Sequence, residues 1–138
     1  MYATLADMLA RFEESELVQV VDAADLADPV LATRVDAAIL RAGTLINAHV
    51  AAKYRTGTDP VPPLLTEIAC DLARHALYRS APPETVVDRR DKAMALLKDI
   101  AKGVIKLDAG EEALPERPGA ILVERPDRLF GRDRLSGY

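Results

Sequence analysis

Few side chains in this sequence have the types and spacing that catalysis requires. The chain has two histidines, His49 and His75, and one cysteine, Cys70. Cys70 and His75 are five residues apart, which is about 140° around a helix, so they cannot form a local nucleophile–base pair. A pairing of Cys70 with His49 across helices stays open, although no further motif supports it. A single cysteine also excludes an internal disulfide and a thiolate zinc cluster.

His49 lies in the middle of an apolar stripe, which leaves two interpretations. It follows Leu45 by four residues and Ala42 by seven. A histidine there could be a ligand or a general base. The favoured interpretation is a half-buried histidine hydrogen-bonded to a neighbouring helix or subunit, because no second His, Cys or carboxylate lies at ligand spacing on that face. His75 lies four residues after Asp71, and we predict that these two form a surface pair.

Arg90 also falls on an apolar stripe, between Val86 and Ala93. Because an isolated buried guanidinium is costly, its side chain must extend to solvent, meet a carboxylate or face a partner chain. Extension to solvent is the simplest of the three. The sequence has no glycine-rich phosphate loop, no G-x-S-x-G motif and no paired carboxylates in an obvious cleft. We therefore predict a protein that is not an enzyme and that has no cofactor or metal.

Composition favours an all-α fold with an acidic surface. The 138 residues suit one domain with an appendage, and 49% are hydrophobic although only 4% are aromatic. Alanine-rich apolar content favours closely packed helices. Residues 1–114 hold 13 basic and 18 acidic groups, which argues against a surface that grips phosphates. The sequence shows neither the signature of a signal peptide nor an apolar run of membrane-spanning length, so we expect a soluble protein of a reducing compartment.

Capping signals and apolar periodicity predict five helical segments. They run from Thr4 to about Phe12, from Ser15 onward, from Pro29 to about Tyr54, over roughly 63–79, and from about Glu84 to Val104. Three stripes give the predicted core: Leu31, Val35, Ala38, Ala42, Leu45, Ile46 and Val50; Leu65, Ile68, Ala69, Leu72 and Ala76; and Val86, Ala93, Met94, Leu97, Ala101 and Val104. The solvent-facing residues predicted on the fourth segment are Glu67, Asp71 and Arg74.

The fold predicted from these signals is an all-α bundle of four to five helices over residues 1–107, followed by a linker and an extended C-terminal arm over 108–138. The run at 121–123 is the only strand candidate in the sequence. Burial of four apolar anchors in the arm would contribute roughly 6–12 kcal/mol. The backbone entropy of ordering residues 129–138 costs about 1–2 kcal/mol per residue, which is of similar size.

We therefore expect the arm to gain stability mainly from other chains, through strand addition at 121–123 or through many copies acting together. The alternative is a disordered end with incidental aromatic residues. The predicted partner-binding residues are Ile121, Leu122, Val123, Leu129, Phe130, Arg132, Asp133, Leu135, Gly137 and Tyr138.

Three stretches resemble a known family. They are the opening MYATLADMLARF, the central PPLLTEIACDLARHALY and the closing FGRDRLSGY. Together they resemble the Mu-like prophage family of small head–tail region proteins, which is similar to helical head–tail connector, adaptor or head-completion proteins. The most specific match is the closing motif, which consists of Phe130, Arg132, Asp133, Leu135, Gly137 and Tyr138. The polar RTGTD at 55–59 departs from the tighter, more apolar approach to the prolines expected in that family.

The resemblance implies a subunit of a ring between the phage portal and the tail. Its implied partners are copies of itself, the portal protein and tail-side neck proteins, with DNA passing through without tight binding and no membrane contact. Its implied location is the head–tail junction of the virion, with assembly in the host cytoplasm.

Two other classes stay open from the sequence. A DNA-binding packaging protein, similar to a small terminase subunit, would need a basic recognition helix, and the most basic stretch, 89–92, is interrupted by Asp91. An enzyme would need a cleft built around His49.

Overall fold

The structure, a computed structural model, describes residues 1–57 and 59–107, and this part of the chain forms five α-helices. They are α1 (Leu5–Arg11), α2 (Glu14–Val21), α3 (Pro29–Val50), α4 (Pro63–Leu77) and α5 (Glu84–Lys102). No strand is present in the described residues, so the predicted all-α bundle is confirmed. None of these helices is long and apolar enough to cross a membrane.

Side-chain caps set the starts of α1 and α3. Thr4 and Asp7 form a capping box, in which the Thr4 hydroxyl accepts the Asp7 N–H and the Asp7 carboxylate accepts the Thr4 N–H at 2.8 Å. Asp28 accepts the N–H groups of Ala24 and Val30, both at 2.9 Å. These two hydrogen bonds lower the pKa of Asp28. The predicted starts of both helices are thus confirmed.

The three long helices end earlier than the sequence predicts: α4 ends at Leu77 rather than at about residue 79, and the ends of α3 and α5 each have a local cause. The helix α3 ends at Val50, and the chain then turns so that Tyr54 is buried, with its hydroxyl oxygen accepting the Leu107 N–H at 3.3 Å. The helix α5 ends just before Gly103, whose φ of 81° is left-handed and closes the helix. Val104, predicted on the buried stripe, is 73% exposed because it follows this turn.

The core lies mainly between α3, α4 and α5, with α4 packed against both of the other long helices. The shorter α1 and α2 pack against this three-helix unit. Most of the predicted core residues of α3 are buried, but Leu45 is 42% exposed. Ile39 and Ile100, which the predicted stripes omit, are fully buried.

The predicted linker and arm, residues 108–138, lie outside the described residues, and so does the strand predicted at 121–123. The division between a domain at 1–107 and an arm at 108–138 therefore stays a prediction.

Candidate functional site

The contacts of His49 and Cys70 are those expected of residues with a structural role. His49 is half-buried, as predicted, but its Nδ1 lies 2.8 Å from the Leu45 carbonyl oxygen one turn earlier in its own helix, whereas the prediction placed its hydrogen bond on a neighbouring helix or subunit. Cys70 is fully buried. Burial raises the pKa of the Cys70 thiol to about 11, so the thiol is protonated at neutral pH and packs as a small apolar group. In the described ranges no group of three His, Cys, Asp or Glu residues could hold a metal ion.

The predicted surface pair of His75 with Asp71 is wrong. Asp71 is half-buried and lies instead 3.6 Å from a guanidinium nitrogen of Arg89, on α5. Burial raises the pKa of Asp71, and the attraction of Arg89 only partly offsets this. His75 has a lowered pKa, first because it is partly desolvated and second because Arg90 repels its charged form. The charged group that acts most strongly on His75 is therefore Arg90, on α5, and not a carboxylate of its own helix.

Arg90 is partly exposed and lies beside the carboxylate of the next residue. Its Nε is 3.0 Å from Asp91 Oδ1. That Nε is buried and makes no hydrogen bond within the described residues, so the contact with Asp91 is an ion pair without hydrogen-bond alignment. The sequence left three possibilities for Arg90: extension to solvent, contact with a carboxylate, or contact with a partner chain. The structure combines the first two, because the Arg90 side chain is partly exposed and lies beside a carboxylate with which it is poorly aligned.

A polar cluster joins α2 to α4. Glu16 receives hydrogen bonds from Arg74 Nε at 2.7 Å, from a second Arg74 nitrogen at 2.9 Å and from the Tyr78 hydroxyl at 2.8 Å. The Arg74 guanidinium also lies over the Phe12 ring, 4.5 Å from its centroid. The prediction that Arg74 faces solvent is therefore wrong. This cluster fixes the short N-terminal helices to the long ones.

The most distinctive surface is a groove between the middle of α3 and the end of α4, with Arg90 and Met94 of α5 also in its lining. It consists of two adjoining cavities of about 450 Å³ each, which share Arg41 and Ala76. We call this surface the arginine groove. Its full lining is Arg34, Ala37, Ala38, Arg41, Ala42, Leu45, Leu72, His75, Ala76, Leu77, Tyr78, Arg79, Arg90 and Met94.

The arginine groove is strongly cationic although the protein carries a net charge of −4. Four arginines and one histidine line it, and no aspartate or glutamate does. Within the described part of the chain, Arg34, Arg41 and Arg79 make neither ion pairs nor side-chain hydrogen bonds. Several alanines form its floor, so a bound chain could approach the helix backbone closely.

The arginine groove was not predicted from the sequence, although α3 carries a signal for it. Val30, Arg34, Ala37, Arg41 and Leu45 recur at three- and four-residue steps, which places them on one face beside the core stripe. Val30 and Leu45 are exposed apolar residues on this face. A second stripe that mixes arginine with apolar residues indicates a contact surface rather than a solvated face. Arg90 also had a signal, because its place on the apolar stripe of α5 left contact with a partner chain open. The contribution of Arg79 depends on tertiary packing and had none.

The predicted partner-binding residues of the arm, from Ile121 to Tyr138, all lie outside the described residues. Their role stays a prediction.

No curated protein shows significant similarity to the chain. A protein family described as "Bacteriophage Mu, Gp36" matches residues 2–124, a span that contains all five helices. Such a match indicates a phage structural or morphogenesis protein. Because it covers most of the sequence and confirms the predicted Mu-like relationship, the chain belongs to the Gp36 family of bacteriophage Mu.

Proposed function

We propose that the protein is a non-enzymatic subunit of a phage head–tail connector, which forms a ring between portal and tail during virion assembly. The observation that carries this proposal is the family match over residues 2–124. The all-α bundle supports it, because a compact helical domain is a suitable rigid unit for a ring. In this proposal the partners are copies of the chain, the portal protein and tail-side neck proteins, and its location is the head–tail junction.

In the proposed ring, the C-terminal arm binds another chain through Phe130, Leu135 and Tyr138. The arm has apolar anchors in a segment whose own burial energy is only comparable with its ordering entropy. Contacts with a neighbouring subunit or the portal add main-chain hydrogen bonds and multivalency to those anchors. The acidic body suits a channel wall that DNA must pass without being gripped.

Truncation after Pro126 tests the arm. The described bundle ends well before this position, so we expect the truncated protein to stay helical and monodisperse. We also expect it to be absent from purified particles and to fail to complement a phage that lacks the full-length protein. Replacement of the small polar Ser136 with alanine is the matched control and should leave incorporation unchanged. Infectious particles that contain the truncated chain would contradict the arm's role.

The arginine groove keeps a DNA-binding packaging protein as a second candidate, since four clustered arginines could contact phosphates. The stretch 89–92 supports this candidate less, because Arg89 lies beside Asp71 and Arg90 beside Asp91. Filter binding of duplex DNA over a range of salt concentrations separates the two. Tight binding with a steep salt dependence favours the packaging protein, whereas weak binding favours the connector.

Replacement of His49 with phenylalanine tests the proposal that the protein is not an enzyme. The histidine contacts only its own helix through its ring nitrogen, so the phenylalanine variant should fold. We expect an unchanged phage yield. A loss of yield with a folded, incorporated variant would support chemistry at His49.

A further inference from the structure

The arginine groove has the chemistry of a receptor for an acidic peptide. Arg34 and Arg79 line one of its two cavities, Arg90 lines the other, and Arg41 lines both. Arg34, Arg41 and Arg79 make no ion pair or side-chain hydrogen bond within the described residues. Carboxylates placed in the groove would pair with these three guanidinium groups.

The same chain contains a segment of complementary charge. Residues 108–116 read DAGEEALPE and contain four acidic residues and no basic one. The segment also offers Leu114, which could contact the exposed Leu45 and the partly buried Met94. Its alanines and glycine are small, as are the alanines of the groove floor, which allows close approach. We propose that the arginine groove binds residues 108–116 of a second copy of this chain.

Geometry favours a second copy over the chain's own segment. Leu107 is held at the carboxyl end of α3, because its N–H donates to Tyr54, which follows Val50 by one turn. Arg34 lies 16 residues before Val50, so it is about 24 Å away along the helix axis. Within its own chain, the pair Glu111–Glu112 is at most five residues beyond Leu107 and reaches only about 17 Å when fully extended, which is enough for Arg41 but not for Arg34. Glu116 alone could reach the Arg34 end, whereas a second copy can bring both glutamates of the pair to Arg34 and Arg79.

A neighbouring subunit has no such limit. The Arg34 end of the groove and the start of the acidic segment lie toward different ends of α3, which suits a head-to-tail contact between identical subunits. The biological setting of this inference rests on the proposed connector function, which places copies side by side. The binding itself can be measured without phage particles, so failure of one leaves the other open to its own test.

The test is a nuclear magnetic resonance titration of the full-length ¹⁵N-labelled chain with a synthetic peptide of residues 108–116 at low salt. We expect saturable shifts confined to amides around the groove and to the arginine Nε resonances. In the double variant Arg34→Glu/Arg41→Glu, binding should weaken by at least about tenfold, because two attractions become repulsions. The control variant Lys92→Glu/Lys98→Glu has the same change in charge at exposed positions outside the groove and should bind normally.

The dependence of the groove shifts on protein concentration shows whether the bound segment comes from the same chain or from a second copy. For a second copy, the groove shifts of the unmodified chain should grow with protein concentration, and those of Glu111→Lys/Glu112→Lys should not. At high dilution the groove resonances of the two chains should coincide.

Three results would overturn the proposal. The first is the absence of groove shifts when the peptide concentration is raised to about ten millimolar, the weakest dissociation constant expected for this contact. The second is a difference between the two chains that persists at high dilution, which would mean that each chain binds its own segment. The third is displacement of the peptide by duplex DNA at a lower concentration than the peptide itself needs, which would identify the groove as a nucleic-acid site.

Discussion

Replacement of Glu16 with glutamine should destabilise the protein at neutral pH, because Glu16 connects α2 to α4 through three hydrogen bonds. The side chains of Glu16 and Arg74 are only 22% and 17% exposed, so solvent screens this pair less than a surface pair. Glutamine keeps one acceptor but loses the charge and the bidentate match to the guanidinium. Hydrogen bonds to charged groups contribute about 1.5–3 kcal/mol. We expect a loss of about 2 kcal/mol in the free energy of unfolding.

The loss should depend on pH in a defined direction. Burial raises the pKa of Glu16, but the hydrogen bonds from Arg74 and Tyr78 and the attraction of Arg74 outweigh it, so the folded-state pKa lies below the ordinary value. The stabilisation is therefore complete above the pKa of about 4.3 that a glutamate has in unfolded chains. It disappears as the pH falls through the lower folded-state pKa.

The assay is urea denaturation followed by helical circular dichroism, at neutral pH and at an acidic pH below the ordinary glutamate pKa. The difference between Glu16→Gln and the unmodified chain should be large at neutral pH and smaller in acid. The control Glu67→Gln removes an exposed carboxylate from α4 and should change stability little. Tyr78→Phe, which removes one of the three hydrogen bonds, should cost about 1 kcal/mol. A cost below about 0.5 kcal/mol for Glu16→Gln, or a cost that stays constant in acid, would refute this account of the cluster.

Three further substitutions have defined outcomes in the same assay. Cys70→Ser should cost about 1–3 kcal/mol more than Cys70→Ala, since it buries a hydroxyl in an apolar site, and the native thiol should react with a thiol reagent only after unfolding. Gly103→Ala should cost about 1–2 kcal/mol because φ is 81° and the new methyl group would lie 2.5 Å from Lys53 Nζ, whereas Gly43→Ala, within α3 and with ordinary contacts, should be neutral or stabilising. Asp71→Asn should not reduce stability at neutral pH, because burial raises the pKa of that carboxyl and already opposes its charge.

The helices could be predicted from sequence because their signals are local. Thr4 with Asp7, and Asp28 before a proline, satisfy backbone N–H groups within a few residues, so nothing distant is needed to place the starts of α1 and α3. The helix ends were predicted less accurately than the starts, because they depend on contacts with distant residues. The end of α3 is set by the burial of Tyr54 against Leu107, more than 50 residues away in sequence.

The surfaces could not be predicted with the same success. Arg74 on α4 has the position of a solvent-facing residue in a helical stripe, yet Glu16 from α2 approaches it across 58 residues. The arginine groove likewise combines α3 with Arg79, after α4, and Arg90 in α5. Periodicity describes one helix at a time, whereas a groove is a property of how two or three helices are placed together.

The strength expected of the groove contact is informative about assembly. Exposed ion pairs contribute about 0.2–1 kcal/mol each, so the four arginines together would supply about 1–4 kcal/mol. Burial of Leu114 would add about 1.5–3 kcal/mol. The total corresponds to a dissociation constant between about ten millimolar and ten micromolar, so an isolated subunit would be largely monomeric in dilute solution.

In a closed ring each subunit would both donate a segment and accept one. A portal that holds the subunits side by side would raise their effective concentration enough for such weak contacts to act together. A contact of this strength therefore favours assembly on the portal over assembly in free solution, and a stable ring of the purified protein alone would contradict it.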